Sequence, residues 1–316
     1  MMKPICLICL ITIFFTLFWA CNNSAEADEE TNDSVEVITD DGLVADPNFD
    51  YKNCPKAWSL KELMAKPDSF CLLALLGETG NQLTEFPEDL KKAHYLRSID
   101  ARRNRITSIP SFLSNLEELD LGESGLKKCP DGLKYLKKIR KLNFDYNSIS
   151  ILDDAIYEMK NLEELWLFNN SLEEISVKLC NMTGLKVLAL SGNQLKSIPH
   201  EIGQLSNLEK LYLNDQPSGL SSLPDEFRKL MKLTELSIGS SYSGGGTGNG
   251  FTEIPVCIFN LENLKELNLC YGQIEQISGD IGKLKHLEML NLAGNQLTEL
   301  PIEIKKLKET EEFVSG

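Results

Sequence analysis

Residues 185–199 read LKVLALSGNQLKSIP, and residues 287–301 read LEMLNLAGNQLTELP. The two stretches share leucine or another apolar residue at relative positions 1, 4, 6, 11 and 14, asparagine at position 9 and proline at position 15. Related stretches recur along most of the chain. Their starting residues are Leu73, Leu96, Leu116, Ile139, Leu162, Leu185, Leu208, Leu233, Leu264 and Leu287. The starts are 20 to 31 residues apart. Repeats of this length predict an array of stacked units rather than one compact core.

Each unit contains two kinds of pattern. The alternation at positions 4 and 6 is typical of a strand with one buried face. Proline after position 14 ends that pattern and indicates a short 3₁₀ or helical turn on the opposite side of the coil. One unit cannot bury its apolar residues alone, but stacked neighbours can. The sequence therefore predicts a solenoid that alternates strands and turns.

These units resemble the leucine-rich-repeat family, and ten of them occur in one register. The resemblance implies an α/β solenoid, a horseshoe with a parallel sheet on the concave face and short 3₁₀ or helical turns on the convex face. We expect repeats over residues 73–310, an N-terminal cap over 51–72 with a helix from Ser59 to Lys66, and a tail over 311–316. If that tail leaves the last strand uncovered, the exposed edge could pair with another chain.

Asparagine at position 9 predicts a ladder of side-chain amides bonded to the backbone of the turns. Its expected members are Asn81, Asn104, Asn147, Asn170, Asn193 and Asn295. We expect breaks at Ser124, Gln216, Ser241 and Gly272. The Gly-rich stretch 240–250 is interpreted as a loop inserted between Ser241 at position 9 and Phe251 at position 11. In the first unit, Glu78 stands where leucine is expected.

The N-terminal residues predict export. Lys3 precedes an apolar run from Ile5 to Ala20, which is short for a spanning helix but close to a secretory signal. Ala20-Cys21 resembles the bacterial lipoprotein signal, which would make 1–21 a signal segment and Cys21 the lipidation site. An uncleaved anchor and ordinary cleavage are the alternatives. We therefore expect a bacterial protein lipid-anchored at the outer membrane or cell surface.

The negative charge is concentrated just after this segment. Residues 22–50 hold ten Asp and Glu without any Lys or Arg, which predicts an acidic disordered linker. The whole chain has a net charge of −15, which argues against a nucleic-acid partner.

The cysteines, histidines and glycines fit no familiar catalytic or metal motif. Outside the signal segment, which contains Cys6-Leu7-Ile8-Cys9, there is no Cys-x-x-Cys pair, phosphate loop or nucleophile elbow, so we expect neither an enzyme nor a cofactor or metal site. Cys54 and Cys71 flank the cap; a disulfide and two free buried thiols both fit them. Cys129 occupies a core position, and Cys270 should face the concave side.

In the family, positions 3, 5, 7 and 8 line the concave face. These positions hold a charged group followed by aromatic residues. The charged group is Asp100, Arg102, Arg103, Asp120, Glu123 and Asp145. The aromatic residues are Tyr146, Trp166, Phe168, Tyr212 and Tyr271. Such a group resembles a binding hot spot with a charged border. The alternative is that the rings stack across strands and only stabilise the sheet.

Two functions follow from this pattern. The first is a monomeric, tethered binding module that recognises a protein or a surface polymer on its concave face. The second is a structural protein that self-associates through the edge of its solenoid.

Overall fold

The computed structural model describes residues 54–77, 82–240, 249–307 and 312–314. Within them, twelve strands form one parallel sheet whose spatial order equals their order in the chain. The strands are β1 Lys56–Ala57, β2 Leu72–Ala74, β3 Ser98–Asp100, β4 Glu118–Asp120, β5 Lys141–Asn143, β6 Glu164–Trp166, β7 Val187–Ala189, β8 Lys210–Tyr212, β9 Glu235–Ser237, β10 Glu266–Asn268, β11 Met289–Asn291 and β12 Glu312–Val314.

The register of the sheet stacks the leucines of successive units. Leu188 of β7 aligns with Leu165 of β6 and Leu211 of β8, and all three are fully buried. Residues at positions 4 and 6 join one continuous core with those of the turns. Burial of each such leucine stabilises the fold by roughly 1.5–3 kcal/mol. The structure confirms the predicted α/β solenoid with the sheet on one face.

Short helices form the other face. The α-helices are α1 Leu60–Ala65, α2 Asp154–Tyr157 and α3 Val177–Cys180. The 3₁₀ turns are Pro67–Ser69, Glu88–Lys92, Ser111–Leu113, Leu133–Tyr135, His200–Gln204, Asp225–Lys229, Val256–Asn260, Gly279–Lys283 and Ile302–Lys306. Proline is the N-cap residue of six of these nine turns, a position that its fixed φ and missing N–H permit, and the next residue begins the turn.

The first unit has a different register from the one predicted. Leu73 aligns with Ile99, which is at position 4 of its unit, so the first unit begins at Phe70 rather than at Leu73. Leu73 and Leu75 then provide its inward pair, and both are buried. Glu78, which the predicted register places at a core position, lies outside the described residues. Leu83 N donates to Asn104 Oδ1 at 2.8 Å, which is the bond that the residue at position 11 makes in other units. Counted from Phe70, position 11 would be residue 80, so the first unit has three extra residues before Leu83.

The amide ladder is more complete than predicted. Gln216 is fully buried; its Nε2 donates to Leu190 O, and its Oε1 accepts from Leu195 N. In the next unit Asn249, not Ser241, is the ladder residue. The eight extra residues therefore lie before position 9, between Ser240 and Asn249. Ser124 interrupts the ladder as expected, since its hydroxyl bonds to Gly122 O within its own unit.

Both ends of the array extend the sheet. At the N-terminal end β1 pairs with β2, and Ser59 caps α1 by accepting from Glu62 N at 3.2 Å. Cys54 and Cys71 form a disulfide across this cap, with their Cα atoms 5.9 Å apart. At the C-terminal end β12 pairs with β11 in parallel. The tail thus covers the edge that the structural hypothesis would use.

The signal segment, Cys21 and the acidic linker lie outside the described residues. Asn81 and most of the Gly-rich stretch lie outside them too. In the part of the chain that is described, no helix combines the length and the apolar character needed to cross a membrane.

Candidate binding face

The sheet has two faces with different contents. Side chains at positions 4 and 6 point into the core, and those at positions 3, 5 and 7 lie on the concave face because side chains alternate along a strand. A second apolar cluster, separate from the core, lies on this face. It contains Val187, Ala189 and Tyr212, with Trp166 and Phe168 packed against them. We call these five residues the concave cluster.

Three aromatic rings enclose the middle of the concave cluster. The ring centroids of Trp166 and Phe168 are 5.8 Å apart, those of Phe168 and Tyr212 5.7 Å, and those of Trp166 and Tyr212 6.2 Å. Ala189, on the strand between them, is fully buried although it is on the concave face. Its small side chain lets rings from β6 and β8 meet above it. The rings stack on each other across strands; Trp166 and Phe168 are partly buried, and Tyr212 is buried. That this face binds a partner stays a prediction.

The environment of Trp166 fixes its orientation. Its indole Nε1 donates to Glu164 Oε2 at 2.9 Å. Lys141 Nζ lies 5.6 Å from the ring centroid, on the β5 side of β6, and Tyr212 stacks from the β8 side. Neighbouring side chains therefore contact the indole from both sides, and Trp166 stays partly exposed.

The charged residues before the aromatic ones form a connected network. Arg102 donates to both carboxylate oxygens of Asp100 at 2.9 Å, and its Nε lies 3.5 Å from Asp120. Asp120 also accepts from Gly122 N at 2.9 Å. Asp145 accepts from Phe168 N at 2.6 Å, which links the network to the concave cluster. The predicted charged border is therefore contiguous with the aromatic rings.

Two carboxylates of this network hold their protons unusually tightly. Burial raises the pKa of Asp145 to about 7; the charge of Asp120 adds to the rise, while the bond from Phe168 N opposes it. Burial also raises the pKa of Asp120 to about 6, against the bond from Gly122 N. The hydrogen bond to Asp100 raises the pKa of Arg102.

Position 8 of the units places a different set of predicted residues at the rim of the sheet. Arg103, Glu123, Tyr146 and Tyr271 all have a positive φ there, between 51° and 63°. Arg103 and Glu123 pair with each other at 3.0 Å. Tyr146 is 48% exposed, and Tyr271 lies where a side chain on Gly294 would meet its ring. Among the described residues, neither tyrosine shares a ring contact with the concave cluster.

Sequence reasoning missed the acidic surroundings of Tyr212. Its hydroxyl is buried and, within the described part of the chain, has no hydrogen-bond partner. Burial raises its pKa, and the charge of Glu235 and a contact between the hydroxyl and that carboxylate, outside strict hydrogen-bond geometry, raise it further, as do the charges of Glu266 and Glu164. These three glutamates occupy position 3 of their units. That shared position places them on the same face as Tyr212, so the acidic surroundings could have been predicted from the sequence.

The fold and this face define a repeat protein with an open, parallel sheet. The model of the family "Leucine rich repeat" matches residues 114–172, 160–217 and 247–297. The chain belongs to the leucine-rich-repeat family, as the repeats predicted. A search of curated proteins finds no match.

Solved structures include several similar chains. A leucine-rich-repeat protein of Leptospira interrogans is 28% identical; the match covers 80% of this chain and 74% of that one, with a TM-score of 0.60. The ectodomain of the Arabidopsis thaliana receptor kinase GASSHO1/SCHENGEN3, in complex with Casparian strip integrity factor 2, is 30% identical over 79% of this chain, with a TM-score of 0.60. The match spans only 30% of that ectodomain.

An internalin of Listeria monocytogenes is similar in fold. It is 23% identical, and the match covers 80% of this chain and 70% of the internalin with a TM-score of 0.61. The fold is thus one typical of protein-binding proteins, among them bacterial internalins and plant receptor ectodomains.

Proposed function

We propose that this protein is an exported, membrane-tethered binding module, monomeric and without catalytic activity or a cofactor, which recognises a protein or a surface polymer through its concave face. The observation that supports this most is the concave cluster. Its three aromatic side chains, bordered by charged residues, lie on the face of the sheet opposite to the core. Aromatic side chains within a charged rim are typical of binding hot spots.

The neighbours support the class of function. One of them is a receptor ectodomain in complex with another factor. The covered edge of β11 favours binding by the concave face over self-association through that edge. Tethering is proposed from the N-terminal segment and Cys21.

The binding face can be tested by affinity capture with the full-length chain in detergent. A surface extract of neighbouring or host cells would be passed over three immobilised proteins. These are the wild type, the variant Trp166→Ala/Phe168→Ala/Tyr212→Ala and a matched control. Val177→Ala/Val256→Ala/Ile302→Ala is a suitable control, because these residues are exposed and begin helical turns on the other face. We expect a protein or polymer that the wild type and the control retain and the aromatic variant loses. Equal retention by all three would refute the concave face.

The tether has its own test. We expect Cys21→Ser to abolish incorporation of a labelled fatty acid and to move the protein from the membrane fraction to the soluble one. Unchanged labelling and fractionation of that variant would refute lipidation at Cys21.

A further inference from the structure

The concave face has an excess of negative charge. Across positions 3, 5, 7 and 8 of the units from Leu96 to Leu287, nine carboxylates stand against four basic groups. If Asp120 and Asp145 are protonated, the excess is still three. Charge complementarity therefore favours a cationic partner for this face.

The excess is sharpest beside the concave cluster. Glu235 of β9 and Glu266 of β10 are direct register partners. Like charges at such positions destabilise a sheet. Lys210 pairs with Glu235 at 3.0 Å, whereas Glu266 has no ion pair among the described residues. Burial raises the pKa of Glu266, and the charge of Glu235 raises it further.

The Tyr212 hydroxyl lies in the same field, close to the carboxylate of Glu235. It is more than nine-tenths buried and has no hydrogen-bond partner in the described part of the chain. Asn214, two residues along and on the same face, has a buried Oδ1 that also lacks one. Buried polar atoms are nearly always hydrogen-bonded, so both atoms are suited to groups that arrive with a partner.

The aromatic rings restrict what that partner is. A sugar ring binds best by stacking on the open face of an indole, but Lys141 and Tyr212 contact Trp166 from both sides. The partly exposed rings of Trp166 and Phe168 suit an apolar side chain. These features favour a polypeptide over a carbohydrate.

We propose, on the basis of the binding function above, that the partner is an extended polypeptide segment running across the strands of the concave face. It places a large apolar side chain against Trp166 and Phe168 and an arginine or lysine between Glu235 and Glu266. Three to four strand spacings separate β6 from β9 and β10, which is about 14–19 Å. An extended chain covers that distance in about four to six residues.

A peptide array on the full-length chain tests this proposal. The probes are labelled peptides in a Gly/Ser background with one Phe and one Arg, separated by one to nine positions, and matched peptides with Glu in place of Arg. We expect affinity to be greatest at a separation of four to six. We also expect at least tenfold weaker binding of the Glu peptides and a loss of affinity with added salt.

Two variants of the protein locate the contact. Glu235→Gln/Glu266→Gln removes both facing charges, with their mutual repulsion and the Lys210–Glu235 ion pair, and circular dichroism checks that the variant is folded. It should weaken the best Phe/Arg peptide at least tenfold. Glu174→Gln/Glu262→Gln makes the same change in net charge at exposed positions away from the strands and should bind like the wild type.

Each outcome of the peptide array either supports or overturns the proposed cationic polypeptide. No binding by any peptide, equal binding of Arg and Glu peptides, or an unaffected Glu235→Gln/Glu266→Gln variant would each overturn the cationic polypeptide. The binding function itself would still stand if the capture experiment retained a carbohydrate polymer or an acidic protein through the aromatic residues.

Discussion

Gln216 and Asn249 are hydrogen-bonded across the Gly-rich insertion: the main-chain nitrogen of Gln216 donates to Asn249 Oδ1 at 3.1 Å. Asn249 Nδ2 also donates to Leu213 O and to Ile238 O. A single buried amide thus joins its own unit, at Ile238 on the other side of the eight extra residues, to the unit before it.

Replacing that amide should destabilise the array. Asn249→Ala leaves a buried N–H and two carbonyl groups without partners, so we expect the free energy of unfolding to fall by about 3 kcal/mol. Urea denaturation followed by circular dichroism measures it. Deleting 241–248 with Ser240→Gly keeps the amide and creates the Gly-Asn step of Gly192-Asn193. This deletion should change stability by less than about 1 kcal/mol. A larger loss in the deletion than in Asn249→Ala would contradict the assignment.

Gly192 should tolerate no side chain. Its φ is +69°, and a Cβ there would collide with Asn169 Oδ1. Gly125 has a similar φ of +64° but nothing within 4 Å, so Gly125→Ala measures the backbone strain alone, about 1–2 kcal/mol. We expect Gly192→Ala to lower the free energy of unfolding by at least about 1 kcal/mol more. Equal losses in the two variants would show that the Asn169 side chain moves away freely.

Asp145 should make stability depend on pH. Its pKa is raised to about 7 in the folded protein from an ordinary value of 3.8, so the folded state holds this proton more tightly than the unfolded state. The contribution of this proton to the free energy of unfolding is therefore fully present below pH 3.8 and is lost as the pH rises through 7. Between pH 4 and 8 we expect the Tm of the wild type to fall.

Asp145→Asn should reduce that fall, because the amide oxygen can still accept from Phe168 N while the group no longer ionises. Asp131→Asn, at an exposed carboxylate, is the control and should follow the wild type. Identical pH profiles for the wild type and Asp145→Asn would contradict the prediction.

The disulfide should stabilise the N-terminal cap. Its cysteines are 17 residues apart, and closing a loop of that length stabilises a fold by about 3 kcal/mol in the chain-entropy view. Cys54→Ser/Cys71→Ser should therefore speed amide hydrogen exchange in β1 and α1 well before the central strands. Adding a reductant should speed exchange there in the wild type and have no further effect in the variant.

Most of the fold was predictable because burial and a period of two fix the register wherever Leu-x-Leu is unambiguous, as at Leu188 and Leu190. The first unit was misplaced because the run Leu72-Leu73-Ala74-Leu75-Leu76 allows two registers. Only the partner strand selects Leu73 and Leu75. The ladder at Gln216 and Asn249 was missed for a related reason. Counting residues cannot place an insertion, and the longer side chain of Gln reaches the same backbone groups.

The sequence predicts which residues lie on the concave face, but it does not predict the contacts between them. Position 5 identifies Trp166 and Tyr212, but their stacking depends on Ala189 between them. The sequence also does not show that Tyr212 is buried, or that Lys210 pairs with only one of two facing glutamates. These properties arise from three or four strands together, whereas the repeat pattern describes one unit at a time.

The ladder has a direction. Asn193 accepts from Leu172 N and donates to Leu167 O, both in the preceding unit. Wherever the ladder is continuous, the turn of a unit is therefore completed by the unit that follows it. During synthesis, a repeat that has just left the ribosome still lacks these partners, and its turn closes only when the next repeat has emerged. Folding should thus trail translation by one full repeat, and a nascent chain stopped anywhere within the array ends in an open turn.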